Sequence, residues 1–129
     1  MLCKNIVMIL EKKYSCIVID DDPIYTEIME RFIDKIDFLE LKSSYNNPIE
    51  AILAIEKNGT PDILFLDVQM PQIDAFVTIE ALDPKPIIIV VSSHWQYEEK
   101  LMKQGVNKFI SKPIKSVDHL KKEVFSILS

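Results

Sequence analysis

The sequence predicts an α/β fold in which five parallel strands alternate with five helices, a doubly wound (βα)5 sheet. Short apolar runs alternate along the chain with longer amphipathic segments, which is typical of strand-helix-strand units. Three of the short runs are continuously apolar, as expected when helices cover both faces of a parallel sheet. The predicted strands are CIVID, FLELK, DILFLD, PIIIVVSS and KFIS.

The helices are predicted from apolar residues at helical spacing and from residues that favour helix ends. The apolar residues of the first, second and last helices are Ile24, Ile28, Phe32 and Ile36; Ile49, Ile52, Leu53 and Ile55; and Val117, Leu120, Val124 and Leu128. Asn47, before a proline, favours the start of the second helix, and Gly59 favours its end. The short third helix is predicted over Phe76 to Leu82 and the fourth over Tyr97 to Gln104, and Ser116 opens the fifth.

Size and composition indicate one compact domain. The chain has 129 residues, of which 48% are hydrophobic and 27% charged, enough for a sizeable core without a metal or disulfide staple. Its net charge of −5 argues against direct binding of nucleic acid or an anionic membrane. Cys3 and Cys16 lack metal-ligand spacing and are expected to be free thiols in a reducing cytoplasm.

Residues 1–14 are expected to be an N-terminal extension ahead of a domain over residues 15–129. The apolar run from Ile6 to Leu10 is far shorter than the roughly 20 residues needed to span a bilayer. No small-residue cleavage site follows it, so a signal peptide is not expected. The sequence leaves open whether the extension forms a strand or a helix, or whether Met8 is an alternative start.

Polar side chains follow four of the predicted strands, at the point where each strand ends. In an open parallel sheet, ligands bind beyond these carboxyl ends, where the direction of winding reverses. We therefore expect the following side chains to lie along one edge of the sheet: Asp20, Asp21, Asp67, Ser92 and Lys112.

The acidic residues in this set predict a magnesium site. In the stretch IVIDDDP, Asp22 precedes a proline and is explained as a helix N-cap. Asp20 and Asp21 are not explained in this way, because adjacent carboxylates repel one another unless a cation offsets their charge. Together with Asp67 they form an oxygen-rich site that suits Mg²⁺.

Four motifs in this order resemble the receiver domain of two-component response regulators, over residues 15–129. They are IVIDDDP, DILFLDVQMP, IIIVVSS and KFISKPI. The resemblance implies a flavodoxin-like sheet with strand order 2-1-3-4-5, and a cytoplasmic signalling module of a phosphorelay rather than an enzyme. The segment SSHWQYEEKLMKQGVNKFISKPI is similar, more weakly, to receivers that precede a LytTR DNA-binding domain.

The resemblance also implies a reaction and the residues that carry it. Asp67 is the expected phosphoacceptor, taking a phosphoryl group from a phosphohistidine on a partner sensor histidine kinase. Asp20 and Asp21 are expected to hold Mg²⁺ with Asp67, and the backbone carbonyl of Gln69 is a further expected ligand. Lys112 is expected to pair with a phosphoryl oxygen.

A conformational switch is implied as well. Ser92 is expected to bond another phosphoryl oxygen, and Phe109 is the aromatic residue expected to change rotamer with it. The output surface is then the face made by the fourth helix, the fifth strand and the fifth helix, where self-association as a homodimer or docking of a partner is expected.

Three positions bear on how closely the chain follows the family pattern. Ala75 stands where glycine is usual, which puts the geometry of the loop after Asp67 in doubt, since only glycine accepts positive φ without cost. Ser92 replaces a commoner threonine and Val106 replaces a small residue. The family further implies a cis peptide bond before Pro113.

Other functions compete with this interpretation. A pseudo-receiver, which binds protein partners without being phosphorylated, is kept open by Ala75. A phosphatase of the haloacid dehalogenase type also uses an aspartate nucleophile, but it needs a second aspartate as general acid where this chain has Gln69. A flavin-binding module is disfavoured because three aspartates after the first strand repel a phosphate.

Overall fold

The computed structural model describes residues 12–68, 70 and 73–129. Within them the chain forms a five-stranded parallel sheet with the order β2-β1-β3-β4-β5. The strands are β1 (Tyr14–Ile19), β2 (Leu39–Tyr45), β3 (Ile63–Leu66), β4 (Ile87–Ser92) and β5 (Lys108–Ser111). The predicted fold class and strand order are confirmed. Most of the proposed extension, including Cys3, lies outside the described residues.

Five helices connect or follow the strands. They are α1 (Pro23–Asp34), α2 (Pro48–Asn58), α3 (Ala75–Ala81), α4 (Glu98–Lys103) and α5 (Val117–Leu128). A short 3₁₀ turn over Trp95–Tyr97 leads into α4. Helices α1 and α5 contribute to the core on one face of the sheet, and α2, α3 and α4 contribute to the core on the other. This two-sided cover explains why β3 is buried along its whole length.

The predicted helix caps are confirmed, but α3 and α4 each differ by one residue at both ends from their predicted bounds. The carboxylate of Asp22 accepts a hydrogen bond from the backbone N–H of Ile24, which makes it the N-cap of α1. Asn47 and Ser116 cap α2 and α5 in the same way. Gly59 ends α2 with φ of 103°, a left-handed conformation that favours glycine.

The apolar stripes predicted for the first two helices are partly wrong. Ile24 is 70% exposed, and Ile49 and Leu53 are also exposed. The side chains that α1 buries are instead Thr26, Met29 and Ile33, and α2 buries Pro48, Ala51 and Ile55. A helix that packs on a sheet buries only the side chains on one face. The apolar residues of α1 and α2 extend around the helix beyond that face, so some of them are exposed.

Ala75 does not require the conformation that would favour glycine. It is the first residue of α3, it is fully buried, and its N–H donates a hydrogen bond to the carbonyl of Val68. Among the described residues, only glycines have positive φ. The structure therefore gives no sign of backbone strain at Ala75.

Cys16 is a free thiol within the core of the sheet. Burial raises the pKa of this thiol to about 12, so it remains protonated at neutral pH. It behaves as a small hydrophobic residue of β1, as its place in an apolar strand predicts.

Candidate phosphoacceptor and metal site

The register of the sheet brings the acidic residues together. Ile19, the last residue of β1, pairs with Leu66, the last residue of β3. Asp20 and Asp67 follow directly after these two residues, and the N–H of Asp67 donates to the carbonyl of Ile19 at 3.0 Å. Ligand oxygens of Asp20, Asp21 and Asp67 lie within 4.8 Å of one another. The predicted acidic cluster is thus present at the carboxyl edge of the sheet.

The three acids differ in their exposure. Asp20 is 3% exposed and Asp67 8% exposed, whereas Asp21 points to solvent. One oxygen of each buried acid is held by the backbone: the N–H of Asp22 donates to Oδ1 of Asp20, and the N–H of Val68 donates to Oδ1 of Asp67. These bonds fix both carboxylates without removing their charge.

Lys112 enters the cluster from the end of β5. Its Nζ lies 2.7 Å from Oδ2 of Asp20 and 3.6 Å from Oδ2 of Asp67. Only 15% of its side chain is exposed. The peptide bond between Lys112 and Pro113 is cis, as the family resemblance implied. Lys112 therefore reaches both buried acids at once.

Burial and charge oppose each other within this group. Burial raises the pKa of Asp20 to about 6, although the hydrogen bonds from Lys112 and from the N–H of Asp22 act in the other direction. For Lys112, burial disfavours the charged form, but the hydrogen bond to Asp20 and the charge of Asp67 outweigh it and raise the pKa. The ammonium is therefore charged at neutral pH.

The donor set fits a hard divalent cation. One lysine faces two buried carboxylates and an exposed third, so the cluster retains negative charge. Carboxylate oxygens in an open, partly solvated arrangement are the ligands that Mg²⁺ prefers, since it keeps several of its waters. Gln69, whose backbone carbonyl was predicted as a further ligand, lies outside the described residues.

Ser92 occupies the end of β4 and is fully buried. Its Oγ accepts a hydrogen bond from the N–H of His94 at 3.0 Å, so its own hydroxyl hydrogen is left to donate. Its carbonyl accepts a hydrogen bond from the N–H of Lys112, which ties the ends of β4 and β5 together. Strand β4 is the neighbour of β3, and Leu66 of β3 pairs with Val90 of β4. Ser92 follows Val90 by two residues, and Asp67 directly follows Leu66, so both lie at the same edge of the sheet.

Phe109 lies on β5 opposite Val90 and is half-buried against the core beneath α2, α3 and α4. Trp95, in the 3₁₀ turn before α4, is an exposed side chain.

Two supporting residues were missed by the sequence analysis. The side-chain amide of Asn46 donates to the backbone carbonyl of Asp20 at 2.8 Å. The ring of Tyr25 lies under the ammonium of Lys112, with 4.2 Å from Nζ to the ring centroid. Asn46 stands at the end of β2, so the rule that polar residues gather at strand ends could have found it; no comparable signal marks Tyr25.

Fold and site together define a doubly wound α/β domain that carries an acidic cluster and a buried lysine on one edge of its sheet. A family model described as the response regulator receiver domain matches residues 16–125. The chain belongs to this family.

Curated relatives agree with this assignment. The transcriptional regulatory protein BtsR of Escherichia coli (strain K12) is 31% identical over 100 residues, covering 76% of this chain and 41% of BtsR. BtsR of Salmonella typhi is 32% identical over the same share of each chain. The chain thus spans less than half the length of these curated relatives.

Among solved structures, the receiver domain of the putative response regulator NarL from Mycobacterium tuberculosis superposes with a TM-score of 0.79. It is 21% identical and covers 91% of this chain and 97% of that one. The CheX-CheY-BeF3-Mg complex from Borrelia burgdorferi gives a TM-score of 0.80 at 18% identity, over 92% and 91% of the two chains. At these identities the likeness shows the fold alone.

In the described part of the chain, no helix is long and apolar enough to cross a membrane.

Proposed function

We propose that this chain accepts a phosphoryl group on Asp67 from the phosphohistidine of a sensor histidine kinase, in a reaction that depends on Mg²⁺. The observation that carries the proposal is the convergence of Asp67, the acids Asp20 and Asp21, and Lys112 on one edge of the sheet. Family membership supports a role in phosphorelay signalling.

The proposed chemistry follows from these groups. A carboxylate oxygen of Asp67 attacks the phosphorus, the bond from phosphorus to the histidine nitrogen breaks, and an acyl phosphate remains on Asp67. Lys112 lies within reach of a phosphoryl group on Asp67 and would neutralise one of its oxygens. The hydroxyl of Ser92 would donate to another. The residues that would hold Mg²⁺ are Asp20, Asp21, Asp67 and Gln69, the last through its backbone carbonyl. The bound ion would neutralise negative charge on the phosphoryl group during transfer.

The alternatives receive less support. A pseudo-receiver has no need for the reactive side chains that gather here, and Ala75 does not have the positive φ that would favour glycine. A haloacid dehalogenase-type phosphatase requires a general acid where Gln69 stands, and a side-chain amide is far too weak an acid to protonate a leaving group.

Replacement of Asp21 tests the metal requirement. We expect Asp21→Ala to lose phosphorylation by a small phosphodonor such as phosphoramidate in the presence of Mg²⁺, because the exposed third carboxylate of the cluster is removed. Incorporation is measured by intact mass at several Mg²⁺ concentrations. Asp22→Asn is the matched control: it removes a neighbouring charge but keeps an N-cap side chain, and it should be labelled like the wild type. Equal labelling of wild type and Asp21→Ala would refute this role for Asp21.

We also propose that phosphorylation acts on the face formed by α4, β5 and α5. Ser92 and Lys112 lie at the ends of β4 and β5, and the backbone bond between them couples these two strands. Drawing the hydroxyl of Ser92 toward a phosphoryl group frees space into which the half-buried ring of Phe109 could turn. This rearrangement would alter the α4-β5-α5 face, through which the chain would form a homodimer or dock a partner.

Amide hydrogen exchange tests this route. We expect beryllofluoride with Mg²⁺ to change protection mainly in β5 and at the adjoining ends of α4 and α5, because these elements adjoin Ser92, Phe109 and Lys112. Sedimentation under the same conditions reports self-association. Changes confined to α1 and α2 would show that the switch takes another route.

The proposal extends to the setting of this reaction. We place it in the cytoplasm, since a buried free thiol such as Cys16 is typical of reducing compartments. The net charge of −5 gives this domain no electrostatic basis for binding nucleic acid directly. The likeness of the segment around α4 and β5 to receivers of the LytTR type stays a prediction.

A further inference from the structure

Tyr25 joins the helix that follows the acidic stretch to the loop that carries Lys112. It is the third residue of α1 and is half-buried. Its ring lies under the ammonium of Lys112, with 4.2 Å from Nζ to the ring centroid. Its hydroxyl oxygen accepts a hydrogen bond from the N–H of Ile114 at 2.8 Å. One side chain therefore contacts both the charged end of Lys112 and the backbone just beyond it.

We propose that Tyr25 is a positioning residue for Lys112 in the phosphoryl transfer reaction, an inference that rests on the proposed function. The lysine side chain is long and flexible. Its ammonium group rotates freely and, unlike a guanidinium, does not present hydrogen-bond donors in a fixed planar arrangement. Its attraction to Asp20 and Asp67 fixes its place only as long as those carboxylates retain their charge. The face of an aromatic ring also attracts a cation, and this attraction does not depend on the carboxylates.

The ring matters most when the acids are shared with another cation. Asp20 and Asp67 are the carboxylates expected to bind Mg²⁺, and a bound cation weakens their hold on the ammonium. The ring of Tyr25 is uncharged and belongs to α1, so it continues to confine Lys112 to the edge of the cluster. A small displacement of a catalytic group lowers the rate of a reaction that depends on its position.

The hydroxyl acts on the same lysine through the backbone. The bond from the N–H of Ile114 to the oxygen of Tyr25 anchors the segment that follows Lys112 and Pro113. The carbonyl of Ser92 anchors the N–H of Lys112 on the other side. The ring of Tyr25 thus restrains the ammonium end of the Lys112 side chain, and the hydroxyl of Tyr25 restrains the backbone that carries this side chain.

Two substitutions separate these contributions. Tyr25→Phe keeps the ring and removes the hydrogen bond, whereas Tyr25→Leu keeps an apolar side chain and removes the aromatic face. We expect the initial rate of phosphorylation at saturating phosphoramidate and Mg²⁺ to fall by about 5- to 10-fold in Tyr25→Leu and by no more than about 2-fold in Tyr25→Phe. Rates are measured well below the unfolding temperature of each variant, and Tyr25→Met serves as a second ring-free variant.

A cycle with Lys112→Ala distinguishes positioning from a general structural role. If Tyr25 acts through Lys112, Tyr25→Leu should have no further effect on the rate once Lys112→Ala has removed the lysine. An equal fall in rate with and without Lys112 would overturn the proposal.

A spectroscopic measurement on the metal-free protein is independent of phosphorylation. The ring should shift the ε-methylene proton resonances of Lys112 upfield, in protein with ¹³C-labelled lysine assigned by Lys112→Ala. The shift should persist in Tyr25→Phe and disappear in Tyr25→Leu, while the amide of Ile114 exchanges faster in Tyr25→Phe. Absence of the shift in the wild type would overturn the positioning. If the shift is present but the wild type takes no phosphoryl group, the proposed function fails and the placement of Lys112 by Tyr25 stands.

Discussion

Asp67→Asn is expected to lower phosphorylation by a small phosphodonor by at least about 100-fold, because the carboxylate oxygen that attacks phosphorus is replaced by a poorly nucleophilic amide. Asparagine has nearly the same shape as aspartate, and its amide oxygen can still accept the bond from the N–H of Val68. The fold should therefore be retained. The measurement is intact mass after incubation with phosphoramidate and Mg²⁺, with circular dichroism to verify folding.

Asp74→Asn is the matched control for this variant. Asp74 caps α3 through a hydrogen bond from the N–H of Val77, and asparagine preserves a cap of this kind. The same chemical change is thus made on the helix that follows the site, without touching the cluster. Labelling of Asp67→Asn at the wild-type rate, with Asp74→Asn unaffected, would contradict a role for Asp67 as nucleophile.

Lys112→Met is expected to destabilise the metal-free protein by about 2 to 4 kcal/mol at pH 8. Methionine fills a similar space but leaves Asp20 and Asp67 buried without their cation. The expected loss lies toward the lower part of the range for breaking a buried pair, because Lys112 is 15% exposed and Asp20 can take up a proton. Urea unfolding, followed by circular dichroism, gives the free energy of unfolding.

The effect of Lys112→Met should depend on pH in a defined direction. The pKa of Asp20 is already raised by burial to about 6 in the folded wild type, above its ordinary value of 3.8. A folded group with a raised pKa binds protons that the unfolded chain does not, so its contribution to stability falls as pH rises through about 6. Removing Lys112 raises this pKa further, so the destabilisation should be smaller at pH 5 than at pH 8. Added Mg²⁺ should recover part of the loss at pH 8, since a second cation then faces the acids.

Lys108→Met is the control for Lys112→Met. Lys108 pairs with Glu123 at 3.0 Å, but both side chains are considerably more exposed than Lys112 and Asp20. Exposed pairs contribute about 0 to 1 kcal/mol. A loss in Lys112→Met no larger than in Lys108→Met would show that the buried lysine is not needed to offset the acids.

Much of the fold follows from local signals. Continuous apolar runs identify the buried strands, and the polar residue after each run marks the carboxyl edge of the sheet. This is why Asp20 and Asp67 could be placed at the same edge before the structure was known, whereas the strand order that makes them neighbours was implied by the family resemblance. Asn47 and Gly59 mark the ends of α2 because each has a conformational preference that acts within a few residues.

The parts that could not be predicted depend on long-range geometry. Lys112 and Asp20 are 92 positions apart in sequence, and Tyr25 and Ile114 are 89 apart. Strand-end rules bring Lys112 to the right edge, but they do not indicate that a helix residue will pass beneath its ammonium. The exposure of Ile24 was missed for a related reason: helical spacing gives a periodic apolar face but not the angle at which the helix rests on the sheet.

The central claim is that Asp67 is the phosphoacceptor and that Mg²⁺ is required. The most direct measurement treats the wild-type chain with phosphoramidate, with and without Mg²⁺, and then reduces the acyl phosphate with borohydride to mark the modified residue. Peptide mass spectrometry should locate the reduced residue at Asp67, and only in the sample with Mg²⁺. Modification at Asp20 or Asp21, or equal modification of Asp67 without Mg²⁺, would contradict the account.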